Sequence, residues 1–78
     1  DAERARTEAR RFQERAVTWA NQAVDAVPQA PRYVAAQAAA LLALGREAEG
    51  RRAIERAIAL DPNHFKVRPL ATLLQGGG

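Results

Sequence analysis

The sequence predicts an all-α chain, with one antiparallel helical hairpin preceded by a long helix and followed by a short capping helix. Three observations predict it. Positions 2–27 hold no Gly or Pro, and apolar residues recur there at alternating steps of four and three. Gly and Pro divide the rest of the chain into helix-length pieces. Pro28 and Pro62 stand 34 positions apart (62 − 28) at matching ends of two such pieces.

In the first helix the recurring residues are Ala5, Ala9, Phe12, Ala16, Trp19, Ala23 and Ala26. That spacing gathers them on one narrow stripe, as in a helix packed lengthwise along a partner. Beyond Ala16 the apolar surface broadens with Val17, Ala20, Val24 and Val27, while Arg4, Arg6, Arg10, Arg11 and Arg15 keep the first half wet. Trp19, a large aromatic on a helical stripe, is expected in the core. Pro28 and Pro31 end this helix near Val27, because each lacks an amide donor and restricts the residue before it. A helix of about 26 residues extends roughly 39 Å, whereas a hairpin of about 14-residue helices spans roughly 21 Å. Part of the stripe, including Phe12, is therefore expected to overhang; otherwise the helix bends back near Arg10 and Arg11.

Pro31 suits the first position of a second helix, where its missing amide costs nothing. That helix is expected to run to about Leu44, with Val34, Ala38 and Leu41 on one face and Ala35, Ala39, Leu42 and Ala43 around the side. Gly45 stops it, since Gly takes the left-handed conformation without steric cost. A third helix follows from about Glu47 to Leu60, carrying Ala53, Ile54, Ala57, Ile58 and Leu60, and the short gap folds the two back on each other. Asp61, Pro62 and Asn63 end it. Pro69 opens a last turn or two with Leu70, Leu73 and Leu74. Positions 1–75 thus form one domain, and 76–78 read as a flexible Gly tail.

Positions 31–64 carry a family pattern in register. Val34 holds a large apolar position, Ala38 a small one, Leu41 a position where Tyr is usual, and Gly45 the turn. Gly50 holds a position where Ala is usual, followed by Ile54, Ala57 and the terminal run Leu60-Asp61-Pro62-Asn63. With the 34-residue period, this segment resembles a complete repeat of the tetratricopeptide-repeat family. Two residues depart from the pattern. Gln37 stands where Leu is preferred, and Gly50 forfeits about 1 kcal/mol of helix propensity relative to Ala. Leu70, Leu73 and Leu74 are out of register for a further repeat and read as a cap.

The resemblance implies a non-catalytic scaffold for protein–protein interaction or self-association. Its concave groove would consist of Arg32, Ala35, Ala39, Leu42 and Ala43, a smooth apolar strip rimmed by one Arg. Such a strip suits an apolar helix better than a charged peptide terminus, and the chain's own segment from Leu70 to Leu74, or a neighbouring repeat of a longer chain, is an alternative occupant. About three repeats are needed for independent stability, so self-association is expected, through a seam containing Phe12 and Trp19. Because Asp1 opens directly into helical sequence, the chain reads as a piece of a longer one, and an accessory role beside an enzyme is a further alternative.

Composition narrows the field further. A domain this small buries only about 60% of the surface its unfolded chain exposes, and Phe12, Trp19, Tyr33 and Phe65 are its only aromatics. The remaining Ala, Leu, Val and Ile leave little room for a deep catalytic cavity. Without Cys there is neither a disulfide framework nor a thiolate metal site. The lone His64 has no ligand set, there is no Ser, and Thr7, Thr18 and Thr72 lack a nucleophile's context. No cofactor is expected. Neither is a membrane partner, since the longest apolar run, 34–44, falls well short of the roughly 20 residues a spanning helix needs. The net charge of +3 comes almost entirely from Arg, and much of it is neutralised by pairs such as Arg4 with Glu8 and Arg10 with Glu14. Nucleic-acid binding through the Arg-rich first helix therefore ranks below protein binding. No residue pattern addresses the chain to a compartment, which leaves the cytoplasm as the default.

Overall fold

A computed structural model describes residues 1–76, which form four helices: α1 (Ala2–Ala26), α2 (Pro31–Ala43), α3 (Glu47–Leu60) and α4 (Arg68–Gly76). There is no strand among the described residues, so the chain is all-helical. Gly76 closes α4 instead of opening the expected tail, whose remaining positions, 77–78, lie outside the described residues.

Local chemistry sets each boundary. The Asp1 carboxylate accepts the Arg4 amide at 2.8 Å and caps α1, satisfying one of the orphan donors of the first turn. The helix is continuous through Arg10 and Arg11. Pro31 occupies the start of α2 behind an extended Ala30. At its other end Gly45 takes φ +79°, the Gly45 amide donates to the Leu42 carbonyl at 3.0 Å, and the Arg46 amide donates to the Leu41 carbonyl at 2.9 Å. These paired bonds form a Schellman motif, which needs a left-handed residue at this position. Glu47 and Glu49 lie in the first turn of α3, where negative charge is favoured by the helix dipole. Beyond α3 the Asp61 carboxylate accepts the Asn63 amide at 3.1 Å and His64 Nδ1 accepts the Lys66 amide at 3.1 Å. Two short turns of side-chain bonds thus carry the chain into α4.

Packing follows chain order. α2 packs against both α1 and α3, and α4 packs against α3. One cluster joins Val17, Ala38, Leu41, Ala53 and Ile54. A second joins Val34 and Ala35 to Ala57 and Val67, the last from the connection into α4. No polar or charged residue among the described residues is buried. Leu70 packs on both clusters and Leu74 on the first. On α2 the buried set includes Ala40, while Ala39 and Ala43 face solvent.

The buried face of α1 differs from the expected stripe. Val17 and Ala20 are its buried residues, with Ala16, Ala23 and Val24 half-buried beside them. Trp19 is 54% exposed and Phe12 68% exposed, so the expectation of a core Trp19 is corrected. The reason is geometric. Only α2 covers this helix closely, and a single close neighbour favours the small Ala20 at the line of contact. Trp19 sits one residue, or about 100°, around the helix from that line. Residues 1–12 are all exposed; Arg10 still shares a hollow with Leu44 and Arg46, so roughly the first two turns, about 12 Å of α1, project past the hairpin. The molecule's long dimension of 40 Å is close to the length of about 37 Å expected for this helix.

Gly50, a departure from the family pattern, has a packing cause. A Cβ built there would stand 2.7 Å from Leu42 Cδ2 and 2.8 Å from Leu42 Cγ, too close for either atom to stay in place. We expect Gly50→Ala to destabilise the fold in urea titrations, because an overpacking cost of about 1–3 kcal/mol outweighs about 1 kcal/mol of gained helix propensity. In a Leu42→Ala background the same change should stabilise by about 1 kcal/mol. Destabilisation that persists without the Leu42 side chain would show that another atom limits the approach. Ala57 is fully buried between Val34, Ala35 and Val67, so Ala57→Leu should cost about 1–3 kcal/mol. An unchanged melting temperature would refute this register of α3.

Candidate docking surface

Three parts of the chain converge at one cleft. Trp19 comes from α1, Arg32, Tyr33 and Ala36 from the first turns of α2, and His64, Phe65 and Lys66 from the connection between α3 and α4. Together they line an open hollow of about 520 Å³. Trp19 and Tyr33 meet edge to face, with centroids 5.7 Å apart and planes at 87°. This arrangement aims the positive edge of one ring at the negative face of the other. The Arg32 guanidinium lies 4.7 Å from the Tyr33 centroid and donates from Nη2 to Tyr33 Oη at 2.9 Å. His64 and Phe65 are stacked at 4.9 Å with planes 23° apart, and Lys66 Nζ lies 5.8 Å from the Phe65 centroid. Phe65 is nevertheless 73% exposed.

The electrostatics of this cleft are one-sided. Arg32 and Lys66 line it and no carboxylate does. The ion pairs among the described residues lie elsewhere, joining Arg4 to Glu8, Arg10 to Glu14 and Arg46 to Glu49. A shallower depression continues from Trp19 along α1 past Arg15, Glu14 and Arg11, two cations to one carboxylate. The cationic surface therefore extends toward the projecting end of the helix.

The five residues of the expected groove do not share one open surface. Ala35 is buried in the second core cluster, and Arg32 belongs to the aromatic cleft. Ala39 and Ala43 are exposed. Leu42 lies in a separate hollow of about 250 Å³ whose wall includes Ile54, Leu73 and Leu74. The chain's own α4 thus stands at the end of the strip where an incoming helix was expected. Of the expected seam, Trp19 belongs to the cleft, while Phe12 lies two helical turns away on the first half of the helix.

Tyr33, Phe65 and Lys66 were not singled out as site residues from the sequence, and His64 was noted only as lacking a ligand set. One signal was available. The 34-residue offset that pairs Pro28 with Pro62 also pairs Arg32 with Lys66 (66 − 32), although Arg32 lies in the first turn of α2 and Lys66 in the connection that precedes α4. Each also has an aromatic residue beside it, Tyr33 after Arg32 and Phe65 before Lys66.

A second polar surface is internally satisfied. Gln37 donates from Nε2 to Asn21 Oδ1 at 2.7 Å, and Arg56 Nη2 donates to Gln37 Oε1 at 2.9 Å. The Gln37 amide therefore links α1, α2 and α3 in one ladder.

Thr7, Thr18 and Thr72 each donate their hydroxyl to the carbonyl four residues earlier. Among the described residues, no group of three His, Cys, Asp or Glu side chains is placed to hold a metal ion, and no helix is long and apolar enough to cross a membrane. Comparison with family models, with characterised proteins and with solved structures finds no match for this chain.

Proposed function

We propose that this chain is a non-catalytic interaction scaffold of the tetratricopeptide kind, holding another protein surface or a second copy of itself. One observation carries the reading: the placement of large and small apolar side chains is inverted. The interior is mostly Ala with a few Val, Leu and Ile, whereas Phe12, Trp19, Phe65 and Leu73 are all more than half exposed. A scattered exposed apolar residue needs no explanation, but Trp19 and Phe65 line one cleft and Phe12 shares a helical stripe with Trp19, and such grouping marks an interaction surface. The repeat-like register of 31–64 supports the family reading, since such units leave an apolar face for the next unit to cover.

The first half of α1 supports the self-association arm of this reading. Ala5, Ala9 and Phe12 follow one stripe on a helix that no neighbour covers there. A second α1 laid alongside would cover small residues closely and seat Phe12. We expect sedimentation velocity over a concentration series to show association of the wild-type chain. Phe12→Ala should weaken it by about tenfold or more, as the loss of about 1.5–3 kcal/mol of side-chain burial implies. Its unfolding free energy should stay within about 0.5 kcal/mol, as for a surface substitution. A monomer at every concentration, together with a Phe12→Ala variant that melts the domain, would overturn the self-association arm.

A further inference from the structure

We infer that the aromatic cleft docks an acidic segment of a partner protein, with an apolar side chain seated against Trp19 and flanking carboxylates paired with Arg32 and Lys66. The inference rests on the interaction-scaffold reading and gives it a partner chemistry.

Charge complementarity selects the occupant. Two cations line the cleft with no carboxylate beside them, and neither has an ion-pair partner among the described residues. The Arg32 guanidinium is held in place by its bond to Tyr33 Oη and by the ring beneath it. It carries five N–H donors in a fixed fork, so those not engaged by Tyr33 are free to grip a carboxylate. Charge-assisted bonds of that kind are roughly twice as strong as neutral ones. Lys66, with its backbone amide tied to His64, supplies a second positive charge on the connection into α4. Further out, Arg15 and Arg11 offer the same sign to a longer acidic segment, beside a Glu14 whose carboxylate is already paired with Arg10.

Shape favours a side chain over a nucleobase. Binders of single-stranded nucleic acid present free aromatic faces on which bases stack. Here the Tyr33 face is taken by Arg32, Phe65 is stacked on His64, and Trp19 meets Tyr33 at right angles. What remains is a notch of about 520 Å³, within the range of about 300–1,000 Å³ usual for specific pockets. A Leu or Phe side chain occupies part of such a notch and takes ring surface of Trp19 and Phe65 out of water.

Trp19 is the only Trp, so its emission reports occupancy directly. The probe is an acetylated, amidated hexapeptide, Glu-Glu-Leu-Phe-Glu-Glu, titrated into the whole chain at concentrations below its self-association, and separately into the Phe12→Ala chain. A saturable blue shift is expected in both. Binding should weaken about fivefold or more for the Gln-Gln-Leu-Phe-Gln-Gln peptide and for the Arg32→Ala and Lys66→Ala variants, because each loses a charged pairing. Phe65→Ala and the Glu-Glu-Ala-Ala-Glu-Glu peptide should each lose about tenfold through the missing apolar contact. Circular dichroism checks that the variants keep their helices. If the charge-free peptide binds as tightly as the acidic one, the acidic partner is wrong while the scaffold reading stands. Tighter binding of an oligothymidylate that the same substitutions abolish would assign the cleft to nucleic acid and overturn the inference. Failure of every probe at millimolar concentration also overturns it, and if the wild-type chain is monomeric as well, the scaffold reading falls with it.

Discussion

The approach of α3 to α2 is limited by a missing atom. Gly50 faces Leu42 where no Cβ fits, and Ala38, Ala53 and Ala57, each fully buried, present a single methyl group to their neighbours. With so little side chain between the backbones, the hairpin closes tightly. Ile54 and Val34, among the largest side chains wholly out of water, fill what space remains. Gly45 adds the second constraint, because its left-handed backbone ends α2 and turns the chain back within a few residues. Such a core gains less from buried area per residue than from the density of contacts that close backbones allow. Its stability is correspondingly sensitive to any added methylene at these positions.

The exposure of the aromatics follows from that closeness. Rings of the size of Trp19 or Phe65 cannot enter an interface spaced by Ala and Gly, so they take the rims where helices diverge. At the rim between α1 and α2, Trp19 turns its ring to Tyr33; beyond α3, Phe65 stacks on His64. The inner spacing and the outer cleft are therefore one feature seen from two sides.

The helix boundaries were legible in the sequence because their causes are local. Pro31, Gly45 and Asp61-Pro62-Asn63 act within a few residues of where they stand, and the structure ends or starts helices at each. The face of α1 was harder to read. Two stripes overlap on that helix: one through Ala5, Ala9, Phe12, Ala16 and Trp19, and another through Val17, Ala20 and Val24. Periodicity cannot rank them, because only the position of α2 decides which is covered. The purpose of Gly50 was hidden for the same reason, since its partner Leu42 lies in another helix. The cleft drew residues from positions 19, 32–36 and 64–66. No window along the chain holds them together, and only the repeat offset linking Arg32 to Lys66 hinted at a shared surface.

The two polar surfaces differ in what they leave unspent. On one side of α1, Asn21 enters a ladder in which Gln37 accepts from Arg56 and donates to Asn21, so those groups satisfy one another without a ligand. Trp19 lies about 200° away around the same helix, beside cations with no carboxylate facing them and rings that remain largely in water. A partner offering the ladder's side chains new bonds would first have to replace existing ones. At the cleft, an acidic and apolar partner adds ion pairs and removes exposed ring surface without breaking an internal bond. This asymmetry favours the aromatic side of the molecule as its working face.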